Sequence, residues 1–392
     1  MSGAMFTGPS VRSTTMPTND GPEQIRYGVI GTGMMGIEHI HNILALENCV
    51  VTAVADPEPT SLLLAREAVG PDMPLATFST AQELIAANLC DALVIASPNH
   101  THHDVLIPCI ESGLHLLIEK PLCTTLDDCR EIVDLVSDRP TSQVIWMGLE
   151  YRYMPPLQRV MSEIAKGTVG DVKMVAIREH RFPFLVKVGN WNRFSKNTGG
   201  TLVEKCCHFF DLMIEATESR PVRVYASGAQ DVNHLDEVYD GKQSDVLDNA
   251  YVIVDFANGS RGLLDLCMFA EASKNEREIV VTGTAGKVEA LDTESIVRIG
   301  VRTKDIVSGV NVVTEEKIVD SSIKHQGLHH GASYLEHLDF AAAIRAGEPA
   351  AVTVLDGLWS AAIGFAAHLS LDSGMPVMID DLAQVGGLEF RP

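Results

Sequence analysis

The chain has 392 residues and carries 30 basic against 52 acidic side chains, a formal net charge of −22. That length exceeds what one hydrophobic core usually serves, so two domains are expected. An acidic balance of this size argues against a nucleic-acid partner or an anionic membrane surface.

Residues 1–24 are rich in Ser, Thr, Gly and Pro and lack both a basic cluster and an apolar core, so they read as a flexible tail rather than a signal peptide. No later stretch offers the ~18 uncharged apolar residues of a membrane helix, and a cytoplasmic location is the expectation. The eight cysteines show no C-x-x-C spacing. Cys49, Cys90, Cys109 and Cys267 lie in apolar runs, where cysteine behaves as a small buried hydrophobe.

The first ordered stretch is a strand-like run around Val29 and Ile30 that ends in Gly31, Gly33 and Gly36, spaced G-x-G-x-x-G. In a dinucleotide site the first glycine makes the strand-to-helix turn and the second admits a pyrophosphate. The third lets the helix lie close to the sheet, and the free N–H groups at the start of that helix attract phosphate. Met34 to Leu46 reads as that helix and Cys49 to Ala55 as the next strand, ending in Asp56. Asp56 lies 20 residues beyond Gly36, the usual offset of a ribose-binding carboxylate.

A helix over Glu58–Ala68, a short strand over Leu75–Phe78 and a capping-box helix from Thr80 follow. Ala92–Ala96 reads as a buried strand breaking at Ser97-Pro98-Asn99, and a helix from Thr101 carries Pro108. Leu114–Ile118, ending in Glu119-Lys120-Pro121, and Gln143–Leu149 complete six strands. Alternating strands and helices imply a doubly wound parallel sheet. Past Tyr151 the pattern changes. Helices Pro156–Lys166 and Thr201–Ala216 flank a polar, aromatic-bearing loop, Phe182–Gly199. The strand-rich Val222–Ile318 stretch reads as an antiparallel meander. Two helices, Ala332–Ala346 and Leu355–Leu371, close the chain, and Val377–Ile379 reads as a short run that returns to a sheet.

Ligands of open parallel sheets sit beyond the carboxyl ends of the strands, where Asp56, Ser97-Pro98-Asn99 and Glu119-Lys120 fall. Lys120 is either a ligand-facing amine or a snorkelling surface lysine. In the second half, Glu204 and His208 share one face of a predicted helix, with Asp211 near the same stripe. Such a polar line on an apolar helix lines a cleft or meets solvent. His100, His102 and His103 invite a metal reading, but neither H-E-x-x-H nor a cysteine quartet accompanies them, and no metal is expected.

Together Gly31–Gly36, Asp56, Ser97-Pro98-Asn99 with His102, Glu119-Lys120-Pro121, Tyr151-Arg152-Tyr153 and Gly199-Gly200 through Asp211 resemble the glucose-fructose oxidoreductase / inositol dehydrogenase / MocA family, over about residues 25–380. The resemblance implies a Rossmann dinucleotide-binding domain at 25–150. It also implies a C-terminal α+β domain at 151–380, with a large open, mostly antiparallel sheet that often forms oligomer interfaces. It further implies NAD(P)-dependent oxidation or reduction of a secondary alcohol on a sugar or cyclitol. The family's lysine falls on Lys120 and its Asp-x-x-x-His on Glu204 and His208, with Glu standing where Asp is commoner.

On that basis Lys120, His208 and Glu204 are the expected catalytic residues, with His208 taking the hydroxyl proton, Glu204 orienting its ring and Lys120 bonding the same oxygen. The reverse assignment, Lys120 as base, stays open. The cofactor contacts expected are Gly31, Thr32, Gly33, Met34, Met35, Gly36, Asp56, Ser97, Asn99, His102, Glu119 and Lys120. Asp56 would bond ribose hydroxyls and repel a 2′-phosphate, favouring NAD over NADP. Substrate contacts are expected from Tyr153, Trp191 and Arg193, with His329 or His330 as further candidates, around a small polyhydroxylated ligand. Two other readings are an NAD-retaining, glycosidase-like enzyme and a non-enzymatic cofactor-binding regulator. A homodimer or homotetramer through the C-terminal sheet is the expected assembly.

Overall fold

A computed structural model describes residues 24–139, 142–302, 313–388 and 390; the stretch read as a flexible tail lies almost wholly outside them. Six short, apolar strands form the first sheet: β1 (Ile25–Ile30), β2 (Cys49–Ala55), β3 (Ala76–Phe78), β4 (Ala92–Ile95), β5 (His115–Glu119) and β6 (Ile145–Gly148). All pair in parallel, in the order β3-β2-β1-β4-β5-β6. Every residue of β4 and β6 is buried, as strands covered on both faces must be. The connecting helices are α1 (Met34–Ala45), α2 (Pro59–Val69), α3 (Ala81–Ala86), α4 (His102–Glu111) and α5 (Leu126–Ser137). Thr80 and Glu83 make the capping box expected for α3. Thr125 caps α5 through the Asp128 N–H.

After α6 (Pro155–Ala165) and β7 (Val172–His180) comes the helix expected over 201–216. It forms as two pieces, α8 (Thr201–Glu204) and α9 (Cys207–Thr217), after the single-turn α7 (Ser195–Thr198). At the break the N–H groups of both Phe209 and Phe210 turn to the Cys206 carbonyl, a tightening that re-aims the axis between Glu204 and His208.

The strands that follow are β8 (Pro221–Ala229), the small hairpin β9 (Val238–Tyr239) and β10 (Lys242–Gln243), β11 (Asn249–Phe256), β12 (Arg261–Cys267), β13 (Arg277–Gly283), β14 (Gly286–Leu291), β15 (Ile296–Val301) and β16 (Val313–Lys317). The large sheet has nine strands in the order β16-β15-β14-β13-β7-β12-β11-β8-β17. It is not a pure meander. β7 inserts between β12 and β13 and runs parallel to β12, a pairing across more than 80 residues that no local pattern encodes. β17 (Val377–Met378) joins its edge beside β8.

α11 (Val354–Ser373) packs against α5, α9 and β8. It has the length and hydropathy of a spanning helix, but 67% of its apolar window is buried inside the protein. α10 (Ala332–Ala346) returns to the first sheet, where Phe340 meets Tyr27 and Trp146 edge-on at 6.3 and 6.1 Å. These fully buried rings join the closing helices to β1 and β6. Phe340→Ala is therefore expected to lower unfolding stability by about 3–5 kcal/mol, measured by chemical denaturation.

Candidate active site

The glycine turn meets the demands of a dinucleotide cradle at each position. Gly31 has φ +86, and a Cβ there would lie 2.5 Å from the Ser97 backbone nitrogen; one on Gly36 would lie 2.0 Å from the Gly31 carbonyl oxygen. A Cβ on Gly33 would meet nothing within 4 Å, which leaves open space at the start of α1 for an approaching phosphate. Met34 is exposed at this first turn, and Met35 is half-buried. Asp56 folds back on the turn. Its Oδ2 accepts the Thr32 N–H (2.7 Å) and Oγ1 (3.2 Å), and its Oδ1 accepts the Glu58 N–H. A carboxylate has about four acceptor sites, so capacity for a ribose hydroxyl remains.

Beyond the ends of β4 and β5 the expected contacts divide. His102 is wholly buried and serves as a latch, with Nε2 3.1 Å from the Ser97 carbonyl oxygen and Nδ1 2.9 Å from that of Pro121. Burial keeps the ring neutral, so it donates to one of these carbonyls and only abuts the other; with both nitrogens against backbone it turns neither toward a cofactor, a correction to the contact expected of it. Ser97 accepts from Thr101, and Asn99 keeps a buried Nδ2 without a partner. Glu119 is held by His39 (2.9 Å), which in turn meets His337 (2.8 Å), so one carboxylate braces α1 and α10. His100 lies 6.0 Å from Trp191, and His103 pairs with Glu131 near the surface. The three histidines thus face three different surroundings.

Lys120 and the Glu204–His208 segment come together from the two sheets. The Lys120 ammonium donates to the Glu204 carbonyl oxygen at 3.2 Å. Burial works against its charge, while Cys207, Glu119 and Glu204 work for it, and the partners win: its pKa stands above the usual lysine value. Cys207 is itself pushed up to about 12 by burial. At neutral pH it is a thiol, and the carboxylates supply the effective charge. His208 goes the other way. Burial and the Lys120 charge hold its pKa well below the ordinary histidine value, so its imidazole is neutral, and its Nδ1 is buried without a partner. One side of the pair is an ammonium donor and the other a neutral acceptor.

Glu204 is not the orienter of His208. Its Oε1 lies 3.8 Å from Lys187 Nζ, and its buried Oε2 has no partner. The ring is held instead by Tyr151, stacked on it at 4.0 Å and 7°. His329 stands close by, its ring 6.2 Å from Tyr151 and its Nδ1 3.0 Å from Glu150. Lys187 also caps the Trp191 ring at 4.7 Å, bringing Trp191 to the mouth of the site. Burial pulls the pKa of Lys187 down against the opposing Glu204 charge.

Two expected substrate contacts are elsewhere. Arg193 is 2% exposed and spends its guanidinium on Glu237 (2.7 Å) and the Leu185 carbonyl oxygen, pinning the loop rather than meeting a ligand. Tyr153 is buried beside Trp146; the tyrosine at the site is Tyr151, two residues earlier. His330 lies apart, in a shallow cavity with Pro155, Asp292 and Lys317. Lys187 and Lys205 were not anticipated. The one available signal was a lysine, Lys205, set beside the Glu204–His208 line in a segment rich in buried apolar residues.

Comparison with known proteins agrees with this architecture. The oxidoreductase-family NAD-binding Rossmann fold matches residues 25–146, and the same family's C-terminal alpha/beta domain matches 162–379. Myo-inositol 2-dehydrogenase of Thermotoga maritima is 25% identical over 364 residues, 91% of this chain and 99% of that protein. The scyllo-inositol 2-dehydrogenase (NAD(+)) of Bacillus subtilis is 25% identical over 361 residues, 91% and 97% of the two chains. A levoglucosan dehydrogenase solved with NADH superposes with a TM-score of 0.78 at 20% identity, covering 91% of this chain and 99% of that one, a likeness of fold. The chain belongs to the glucose-fructose oxidoreductase / inositol dehydrogenase / MocA family and is an NAD-dependent oxidoreductase acting on CH–OH groups.

Proposed function

We propose that the protein interconverts a secondary alcohol and a ketone on a sugar, sugar derivative or cyclitol. The observation that carries this reading is the charged Lys120 ammonium bonded to the Glu204 carbonyl, at the head of the segment that carries the neutral His208 imidazole. Bound NAD supplies the hydride acceptor, and the turn at Gly31–Gly36 with Asp56 is the part of the chain that fits it. His208, neutral in its buried setting, takes the proton of the substrate hydroxyl. Lys120 donates a hydrogen bond to the same oxygen and offsets the negative charge that grows there as the proton leaves. Glu204 Oε2, buried and unpartnered, accepts from a neighbouring hydroxyl, which suits a polyhydroxylated ligand. Trp191, half-buried under Lys187, gives such a ring an apolar face.

We extend the reading to assembly. Met174, Tyr225, Tyr251, Ile253 and Leu263 are all exposed on the large sheet. Ile253 stands directly opposite both Tyr225 and Leu263. A contiguous apolar sheet face of this kind marks an association surface, here for a second copy of the chain in a homodimer or homotetramer.

An NADH absorbance screen against inositols, hexoses, anhydrosugars and glycosides tests the reaction, and free NADH with at least one polyol is the expected result. Cleavage of a glycoside without free NADH, or silence across the panel in protein that binds NAD, would overturn it. With the substrate so found, Lys120→Met and His208→Ala should each lower kcat by about 100-fold or more; near-full turnover in either would remove that residue from the chemistry. Fluorescence titration should show tighter binding of NADH than of NADPH, because Asp56 opposes a 2′-phosphate. Light scattering should find an oligomer that Ile253→Glu reduces to monomer; a monomeric wild type would sink the assembly.

A further inference from the structure

Lys205 lies between Glu204 and His208 in the chain, yet its side chain is buried behind the site rather than in it. Its ammonium donates to Tyr151 Oη at 2.7 Å and pairs with Glu179 on β7 at 2.9 Å. Arg277, on β13, donates to the same Tyr151 oxygen at 3.3 Å, and its guanidinium sits 5.1 Å from the ring centroid. Lys205 Nζ is also 5.1 Å from that centroid. The tyrosine ring thus has two cations anchored at its oxygen and His208 stacked on its face. Glu179 is wholly buried and shared among Lys205, Arg181 (3.4 Å) and Arg277 (3.9 Å).

We propose that Lys205 is a positioning residue for His208, acting through Tyr151: it fixes the phenol ring flat against the imidazole and places a positive charge behind it. The inference rests on the reading of His208 as proton acceptor. A stacked ring alone fixes the plane of the imidazole but says nothing of its charge. The cation behind the ring adds the second effect, since positive charge nearby disfavours a further proton. The groups that bear on His208 are Lys120 from the end of β5, Glu150 and Tyr151 after β6, Lys205 at the helix break, and His329 before α10. Lys120, Lys205 and His329 disfavour protonation, and Glu150 favours it. Burial, with Arg181 nearby, brings the Lys205 pKa down to about 8, so below that pH the charge is in place.

The test follows the ¹³Cε1 resonance of His208 in histidine-labelled protein with NADH bound, assigned by its loss in His208→Asn, from pH 8 down to the acid limit of folding. Lys205→Met removes the cation and leaves Glu179 with its two arginines. The His208 titration midpoint is expected to rise by about one unit or more, while Lys205→Arg keeps it near the wild-type value. Should Lys205→Met not fold, Lys205→Gln, which retains a donor for Tyr151, gives the same reading. An unmoved midpoint in the charge-free variants would overturn the proposal, as would an equal rise in Lys205→Arg. No substrate is needed, so a failed substrate screen leaves the result standing. With a substrate in hand, the acidic limb of kcat/KM should move with the resonance. A shifted resonance beside an unshifted limb would support the coupling and count against His208 as the base.

Discussion

Several positive charges are held out of water where the two sheets meet, and the local structure is built around that cost. Removing an ion from water carries a penalty of several kcal/mol unless partners and hydrogen bonds offset it. Lys120 answers with the Glu204 carbonyl and the nearby Glu119 carboxylate. Lys205 and Arg277 answer with Glu179, Asp292 and the Tyr151 oxygen. Each partner comes from a different element, so the charges stitch β5, β7, β13 and the α8–α9 break into one frame. An overall charge of −22 gives no hint of this, because a total does not say where the cations sit.

Lys120, whose charge bears on His208, differs from it in how the same burial acts. For Lys120 the neighbouring Cys207, Glu119 and Glu204 together outweigh desolvation, and the amine stays charged. For His208 desolvation and the surrounding cations act in one direction, and the imidazole stays neutral. A donor and an acceptor are thereby set before any ligand arrives. Of the two assignments of base that sequence left open, this distribution of charge favours the imidazole.

What could be read from sequence was what depends on near neighbours in the chain. The Gly31–Gly36 turn, the Asp56 offset and the Thr80 capping box are local patterns, and the parallel pairing of the first six strands follows from their alternation with helices. The parallel insertion of β7 beside β12 depends on partners more than 80 residues apart and had no local signature. Residue type also misled where one chemistry serves two ends. Arg193 and Tyr153 are as fit to pin a loop or fill a core as to hold a sugar, and the structure uses them inside. His102 is as able to donate to a backbone carbonyl as to a cofactor, and its ring is spent against the backbone. Lys187 escaped notice because its partners, Glu204 and Trp191, are set by a loop whose path the sequence does not fix.

The glutamate at 204, where the family more often has aspartate, gains meaning from that loop. A longer side chain moves the carboxylate away from the helix axis, and here it lies 3.8 Å from Lys187 rather than against His208. Lys187 stacks on Trp191, and the following Arg193 is locked to Glu237. A single carboxylate therefore links the helix carrying the imidazole to the segment carrying the aromatic wall. The orienting duty it leaves behind falls to a stacked tyrosine, which fixes the plane of the ring without engaging either nitrogen. Orientation by stacking leaves Nδ1 uncommitted, whereas a carboxylate bonded to the ring would occupy one nitrogen and raise the basicity of the other. The extra methylene thus fits a site in which the imidazole is kept neutral chiefly by burial, with the Lys120 charge acting in the same direction.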